Sequence, residues 1–267
     1  MFDSAFDRAR FQARLATRRL GHSLIARAEV ESTNDVAWEA LSEGVPDGTC
    51  VVADVQTRGR GRGGHSWHTA PGLGLALSVL LHQGCDRRQL GLLPLTAGLA
   101  LARALERLGT RADLKWPNDL LIAGRKVSGI LAESRRTAEG DDAAVLGVGV
   151  NVGQTPEDFP DELRARATSL AMESVATSRE VVAAEFLNAL EPLWAEQQEG
   201  DRRVVLTAWR ERASFWGREL VVRTPEGVVS GLARGLDDAG ALILERDGRR
   251  FTVLAGDVEL SAAEDRS

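Results

Sequence analysis

Residues able to handle an anion crowd into four short stretches of this 267-residue chain. The densest is Arg58-Gly59-Arg60-Gly61-Arg62-Gly63-Gly64-His65-Ser66-Trp67, in which three arginines alternate with glycines. Glycine lets backbone N–H groups come close to an anion, and each guanidinium offers a fork of charge-assisted donors. The stretch is neither a Gly-Lys-Ser/Thr phosphate loop nor a GxGxxG dinucleotide turn. Taken alone it also suits a solvated loop or a piece of an RNA-binding arginine–glycine tract. Such tracts repeat, however, whereas this one is single and sits in a chain of net charge −6. That acidic balance argues against general nucleic-acid binding, where a broad positive field supplies most of the affinity.

The second stretch is Lys115-Trp116-Pro117-Asn118-Asp119. Its proline ends ladder pairing and presents Asn118 and Asp119 at a tight bend, although Asn-Asp after proline is also ordinary turn chemistry. The third is Arg125-Lys126-Val127-Ser128-Gly129-Ile130-Leu131. Plain strand alternation turns Lys126 away from Val127 and onto a face shared with Ser128 and Ile130. The fourth, Ser32-Thr33-Asn34, reads on its own as a helix cap. Composition then singles out two residues. Of 33 basic side chains, only Lys115 and Lys126 are lysines, and both fall in these stretches. Lysine is a compact ammonium on a thin stem, arginine a flat five-donor fork, so the two exceptions read either as chance retention or as places that need a point charge, and their position in these stretches favours the second.

The elements that must position these residues can be read from periodicity. Residues 4–20 form an amphipathic helix stopped by Gly21, and residues 32–43 form a second helix. Residues 50–55 are a buried strand. In residues 73–81, Leu73, Leu75, Leu77, Val79 and Leu81 share one face, leaving Gly74, Ala76 and Ser78 on the other. Residues 144–152 repeat the pattern, with Gly147, Gly149 and Asn151 on the bare side. Two strands stripped of bulk on one face suit a ligand lying close above. A helix over 93–108 precedes a strand ending at Lys115-Trp116 and a hairpin turning at Ala123-Gly124. A long helix starts near Ser178, with Thr177 and Glu180 as a capping box and a bend at Pro192. After about Trp216, short strands separated by turn residues predict a small antiparallel barrel. Strands mixed with helices, then a β-only tail, give an α+β protein. Its parts are an N-terminal helical extension over 1–27, a main domain over 28–215 and a C-terminal module over 216–262.

No stretch is long and apolar enough for a membrane span, and the N-terminus has no apolar signal-peptide core. Two cysteines without paired spacing imply a reduced, cytoplasmic setting. His65 and His68 lack carboxylate or cysteine companions, so no protein motif for a metal is expected.

Ser32-Thr33-Asn34, then Gln56-x₃-Arg60-Gly61-Arg62-Gly63 near Trp67, then the KWPND and Lys126-x-x-Gly129-Ile130-Leu131 motifs, then residues 147–152, occur in a telling order. The order resembles the catalytic domain of biotin–protein ligases over roughly residues 28–195. The resemblance implies a mixed sheet with flanking helices, class II synthetase-like or SH2-like, plus an SH3-like C-terminal barrel. It implies an enzyme that adenylates biotin with ATP and Mg²⁺, then passes biotin to a lysine of a carboxylase's biotin carboxyl carrier domain. Ser32, Thr33, Asn34 and Gln56 would bond the ureido head. Arg60, Gly61, Arg62 and Gly129 would close on biotin, Trp67 would cover the adenylate, and Lys126 would reach carboxylate and α-phosphate. Lys115, Asn118 and Asn151 would approach the nucleotide, and Asp119 the incoming amine. The loop departs from the family pattern at Gly63, His65 and Ser66, where basic residues are common. About 27 residues precede the first motif, too few for the DNA-binding domain of regulatory members, so no DNA partner is expected; a homodimer is compatible with the sequence. Lipoate and octanoate ligases are the nearest rivals, and KWPND with the arginine–glycine loop favours biotin.

Losing one preorganised donor of this kind costs on the order of 10²–10³ in rate. Lys126→Ala is therefore expected to slow adenylate formation by about that factor in single turnover without unfolding the protein. Lys126→Arg checks the composition argument: wild-type turnover would mean that the scarcity of lysine has no functional content.

Overall fold

The computed structural model describes residues 5–260. In chain order the elements are α1 Arg8–Arg14, β1 Leu24–Val30, α2 Thr33–Ser42, β2 Cys50–Gln56, β3 Gly74–Leu81, α3 Arg87–Leu90, α4 Leu93–Arg107, β4 Asp113–Lys115, β5 Asp119–Ile122, β6 Arg125–Arg136, β7 Asp142–Asn151, α5 Asp161–Arg164, α6 Arg179–Gln198, α7 Arg203–Arg212, β8 Glu219–Thr224, β9 Gly227–Leu236, β10 Leu242–Arg246, β11 Arg249–Val253 and β12 Asp257–Leu260.

Seven strands form a mixed sheet in the order β1-β2-β3-β7-β6-β5-β4, with only β1 and β2 parallel. The alternation read from sequence decides which face is buried. Leu75, Leu77, Val79 and Leu81 of β3 and Leu146, Val148 and Val150 of β7 join the main core with α4 and α6. On the opposite face α2 covers part of the sheet, packing Ala37 and Trp38 against Val51, Leu80 and Val145. The rest of that face is where the small residues line up. Directly paired residues share a face, so the register sets one row across five strands: Lys115, Asp119, Gly129, Gly149 and Ala76. A neighbouring row runs Leu131, Gly147 and Ser78.

Three sequence expectations need correction. The first helix spans seven residues, well short of 4–20, and residue 4 lies outside the described residues. Beyond α1 the backbone N–H groups find better acceptors on α6. Ala16 N donates to Asn188 Oδ1 (2.7 Å), and Arg18, Arg19 and Leu20 donate to the Glu191 carboxylate (2.7, 2.8 and 3.0 Å). These contacts replace helical bonds with tertiary ones. The Thr177–Glu180 capping box is also missing. Ser178 is the N-cap without a side-chain cap bond, while the Glu180 carboxylate accepts from Asp7 N (3.3 Å) in the docked N-terminal segment. Helix α6 itself continues through Pro192. Finally, the C-terminal module is an open antiparallel sheet ordered β11-β10-β9-β8-β12, not a closed barrel. The four residues of β12 all ladder with β8, and no ladder joins β12 to β11 among the described residues. The start of β12 meets the arginine–glycine loop instead, where Arg62 Nη1 donates to Gly256 O (2.8 Å).

The two sheets also meet through the KWPND motif. Trp116 is buried, and its Nε1 donates to Gly240 O in the turn after β9 (3.0 Å). A cleft of about 410 Å³ opens beside this contact, lined by Arg62, Pro94, Asn118, Leu131, Gly240 and Leu254 among others. Trp116→Phe would keep an aromatic side chain but lose the indole N–H and strand the Gly240 carbonyl, a loss of about 1–3 kcal/mol. Calorimetry should show a melting point lowered by about 2–4 °C per kcal/mol, with the catalytic sheet otherwise intact.

Candidate active site

The bare face of the sheet is the floor of the site. A side chain at Gly149 would bring its Cβ to 2.3 Å from Trp67 Cε2, and one at Gly129 to 3.2 Å from both Trp67 Cζ3 and Lys126 Nζ. At Gly147 it would lie 2.5 Å from Asn34 Oδ1. The three glycines thus make room for an indole, an ammonium and an amide that would otherwise have no place on the sheet.

The polar end is built where α2 begins. Gln56 Oε1 accepts from Thr33 N (2.9 Å) and Thr33 Oγ1 (3.1 Å), so a neighbouring strand caps this helix and the Ser32 hydroxyl does not. Ser78 Oγ lies 2.7 Å from Thr33 Oγ1 and 2.6 Å from Asn34 Oδ1, and its one proton serves a single acceptor at a time. Asn34 Nδ2 is buried without a partner. A buried amide donor left unpaired costs free energy, and a ligand acceptor would relieve it.

The cationic end depends on a break in the strand ladder. Lys126 pairs with Leu121 and Ser128 with Leu120, so Val127 is an extra residue in β6. This bulge reverses the sequence expectation. Lys126 shares its face with Asp119 and Gly129, while Ser128 and Ile130 are buried on the far side. The backbone groups freed at the bulge are taken by the segment after α5: Lys126 N donates to Arg166 O (2.7 Å) and Thr168 N to Lys126 O (2.9 Å). Lys126 Nζ stands 2.6 Å from Asp119 Oδ1 and 5.9 Å from the Trp67 ring centroid. Lys115 lies directly across from Asp119 in the same row. Burial pushes the Arg62 guanidinium below its ordinary pKa, opposed by the charges of Asp257 and Asp119.

The arginine–glycine stretch forms a small hairpin closed by Trp67 N to Gly59 O (2.8 Å) and Gly61 N to His65 O (2.6 Å). Its arginines are all engaged. Arg58 pairs with Glu31, Arg60 with Asp35 and Glu133, and Arg62 with the Gly256 carbonyl.

The sequence matches the Biotin/lipoate A/B protein ligase family over residues 26–151 and the Biotin protein ligase C terminal domain over residues 215–261. It is 35% identical to the Biotin--[acetyl-CoA-carboxylase] ligase of Mycobacterium tuberculosis over 270 residues, covering 94% of this chain and 98% of that relative. The chain belongs to the biotin–protein ligase family. It is also 35% identical to the Bifunctional ligase/repressor BirA of Bacillus subtilis, over 92% of this chain and 76% of that protein. The solved biotin protein ligase of Aquifex aeolicus in complex with biotin and ATP matches with a TM-score of 0.74 and 31% identity, covering 90% of this chain and 98% of that one.

Within this biotin–protein ligase fold, Thr33, Asn34, Gln56, Trp67, Asp119, Lys126 and Gly129 converge on the floor. Two other candidates are committed to the scaffold. Asn118 Nδ2 donates to Ile130 O (2.8 Å), and Asn151 Nδ2 donates to Thr168 O (2.9 Å). Sequence reasoning assigned no role to Ser78, Asp35, Glu133 or residues 166–168. Ser78 was visible on the bare strand face; the others are joined only by tertiary contact. Gly149→Ala is expected to expel the Trp67 ring. If that ring stacks on a base, nucleotide affinity should fall about 5- to 100-fold by titration calorimetry.

Proposed function

We propose that this chain condenses biotin with ATP to biotinyl-5'-AMP and transfers biotin to a lysine of a biotin carboxyl carrier domain. The observation that carries this reading is the pairing, on one glycine floor, of an unpartnered amide at one end with an ammonium at the other. A ureido head has the donors and acceptors that Ser32, Thr33, Asn34, Gln56 and Ser78 can satisfy. The acyl chain then crosses beside Trp67, and the carboxylate ends near Lys126. Octanoate has no polar head and would leave the Asn34 amide unpaired, which favours biotin. The tethering of Arg58, Arg60 and Arg62 to their own protein argues against an RNA-binding tract.

In the first step a biotin carboxylate oxygen attacks the α-phosphorus and pyrophosphate departs. Lys126 and Arg62 offset the repulsion between the two anions and stabilise charge on the phosphoryl oxygens. In the second step the acceptor amine attacks the biotinyl carbonyl carbon, the acyl C–O bond breaks, AMP leaves and the amine loses a proton. Asp119, already bonded to one ammonium, suits the orientation of another and can take up its proton. No group of three His, Cys, Asp or Glu side chains able to hold a metal gathers among the described residues. Mg²⁺ would enter with the nucleotide and offset charge on the departing pyrophosphate. The cytoplasmic setting is supported by two free cysteines. No helix among the described residues is long and apolar enough to cross a membrane.

Exchange of labelled pyrophosphate into ATP, measured with biotin, lipoate and octanoate in turn, tests the assignment. Exchange driven by biotin alone is expected; equal or greater exchange with octanoate would overturn it.

A further inference from the structure

The bulge that brings Lys126 to the floor is not held by the sheet alone. In an unbroken ladder Leu121 would face Val127, and Lys126 would turn to the other side of β6. The segment at residues 166–168 keeps the bulged register, since it takes both backbone groups of Lys126 and runs parallel to it at Ala167. That segment is fastened in turn by one carboxylate. Glu173 Oε1 accepts from Thr168 Oγ1 (2.6 Å) and from Arg125 Nη2 (2.8 Å). Thr168 is fully buried, and its backbone carbonyl also accepts from Asn151 Nδ2 (2.9 Å). Arg125 is the residue just before Lys126 on β6. A short turn carries Glu173 back to both, closed by Glu173 N to Ser169 O (3.1 Å) and Val175 N to Leu170 O (2.8 Å). A single oxygen therefore ties strand to supporting segment, one donor from each side of the bulge.

We propose that Glu173 is a positioning residue that keeps Lys126 on the floor by clamping the bulge in β6 through Arg125 and Thr168. It acts on the ammonium through the backbone, not by touching it. Both of its bonds are charge-assisted, and the one from the buried Thr168 hydroxyl has no water to compete with it. Without the carboxylate, the segment at residues 166–168 loses its tie to β6, and the ladder is free to slip by one residue and turn Lys126 away. The consequence for adenylation rests on the biotin-ligase reading; the placement of Lys126 by Glu173 does not.

The test uses the full chain with its lysines ¹³C-labelled at the ε-carbon. Lys126 Cε and the Trp67 ring both lie beside Gly129, so the protons on that carbon sense the ring. In Glu173→Ala the Lys126 signal should move toward the position of a free lysine, with a smaller change at Lys115. Single-turnover adenylate formation should slow about 10- to 100-fold, the scale of a misplaced catalytic group, while biotin affinity by titration calorimetry stays within about threefold. Glu173→Gln can still accept from both donors without the charge, and should recover the rate to within about fivefold of the wild type. Thr168→Val removes the hydroxyl at nearly constant volume and should move the Lys126 signal the same way by a smaller amount. If Glu173→Ala does not fold, Thr168→Val decides, and an unmoved Lys126 signal there overturns the proposal. An unmoved signal in a folded Glu173→Ala would overturn it too, as would a loss of biotin affinity as large as the loss of rate. A displaced Lys126 signal in the variants of a chain whose wild type forms no adenylate would uphold the clamp and reject the biotin reading.

Discussion

The site exists because one face of a seven-stranded sheet carries almost no side-chain bulk where three strands meet. Gly129, Gly147 and Gly149 lie in adjoining strands and rows, and a group from another element lies over each: Trp67 over Gly129 and Gly149 and Asn34 over Gly147, with Lys126 of the same strand also beside Gly129. Glycine inside a strand is unfavourable by roughly 0.5–1 kcal/mol relative to alanine, since it has more freedom to lose and nothing to pack. That cost is offset by the large apolar face on the other side of the same strands, where Leu146, Val148 and Val150 are buried. The division is strict. One face supplies stability, and the other makes room for Trp67, Lys126 and Asn34.

A flat floor does not by itself place charge. The bulge at Val127 brings Lys126 round to the floor, and the segment at residues 166–168 occupies the backbone groups that the bulge frees. Asp119, in the row of Gly129, then fixes the ammonium. Lysine suits this spot because the reach between Gly129, Asp119 and the Trp67 ring is narrow, and a planar fork would have to displace one of them. The chain that uses arginine almost everywhere else keeps both of its lysines on strands bordering this floor, Lys115 on β4 and Lys126 on β6.

Much of this was legible in the sequence, because it is local. The alternation in β3 and β7 gave both the core face and the bare face, and the order of short motifs gave the family. What failed depends on contacts between distant residues. The N-terminal helix stops early because α6, more than 170 positions away, offers Glu191 and Asn188 to its backbone. The capping box at Thr177 and Glu180 lost to a contact with Asp7. The C-terminal strands were found, but their closure was not, because β12 pairs on one side and meets Arg62 at its start. Lys126 was given the wrong strand neighbours, since a single extra residue in a ladder leaves no mark on the alternation pattern. Arginine type and spacing marked the loop as anionic in taste; they carried no sign that Asp35 and Glu133 would claim Arg60.

Lys126 is proposed to stand at the junction where acid and nucleotide meet. The chain's two lysines make it directly observable. Lysine labelled with ¹³C at the ε-carbon gives two side-chain resonances, and Lys126→Arg identifies which is which. Saturation with biotin and ATP is predicted to shift the Lys126 resonance strongly, with a smaller change at Lys115. A Lys126 resonance unmoved in the fully liganded protein would contradict the account.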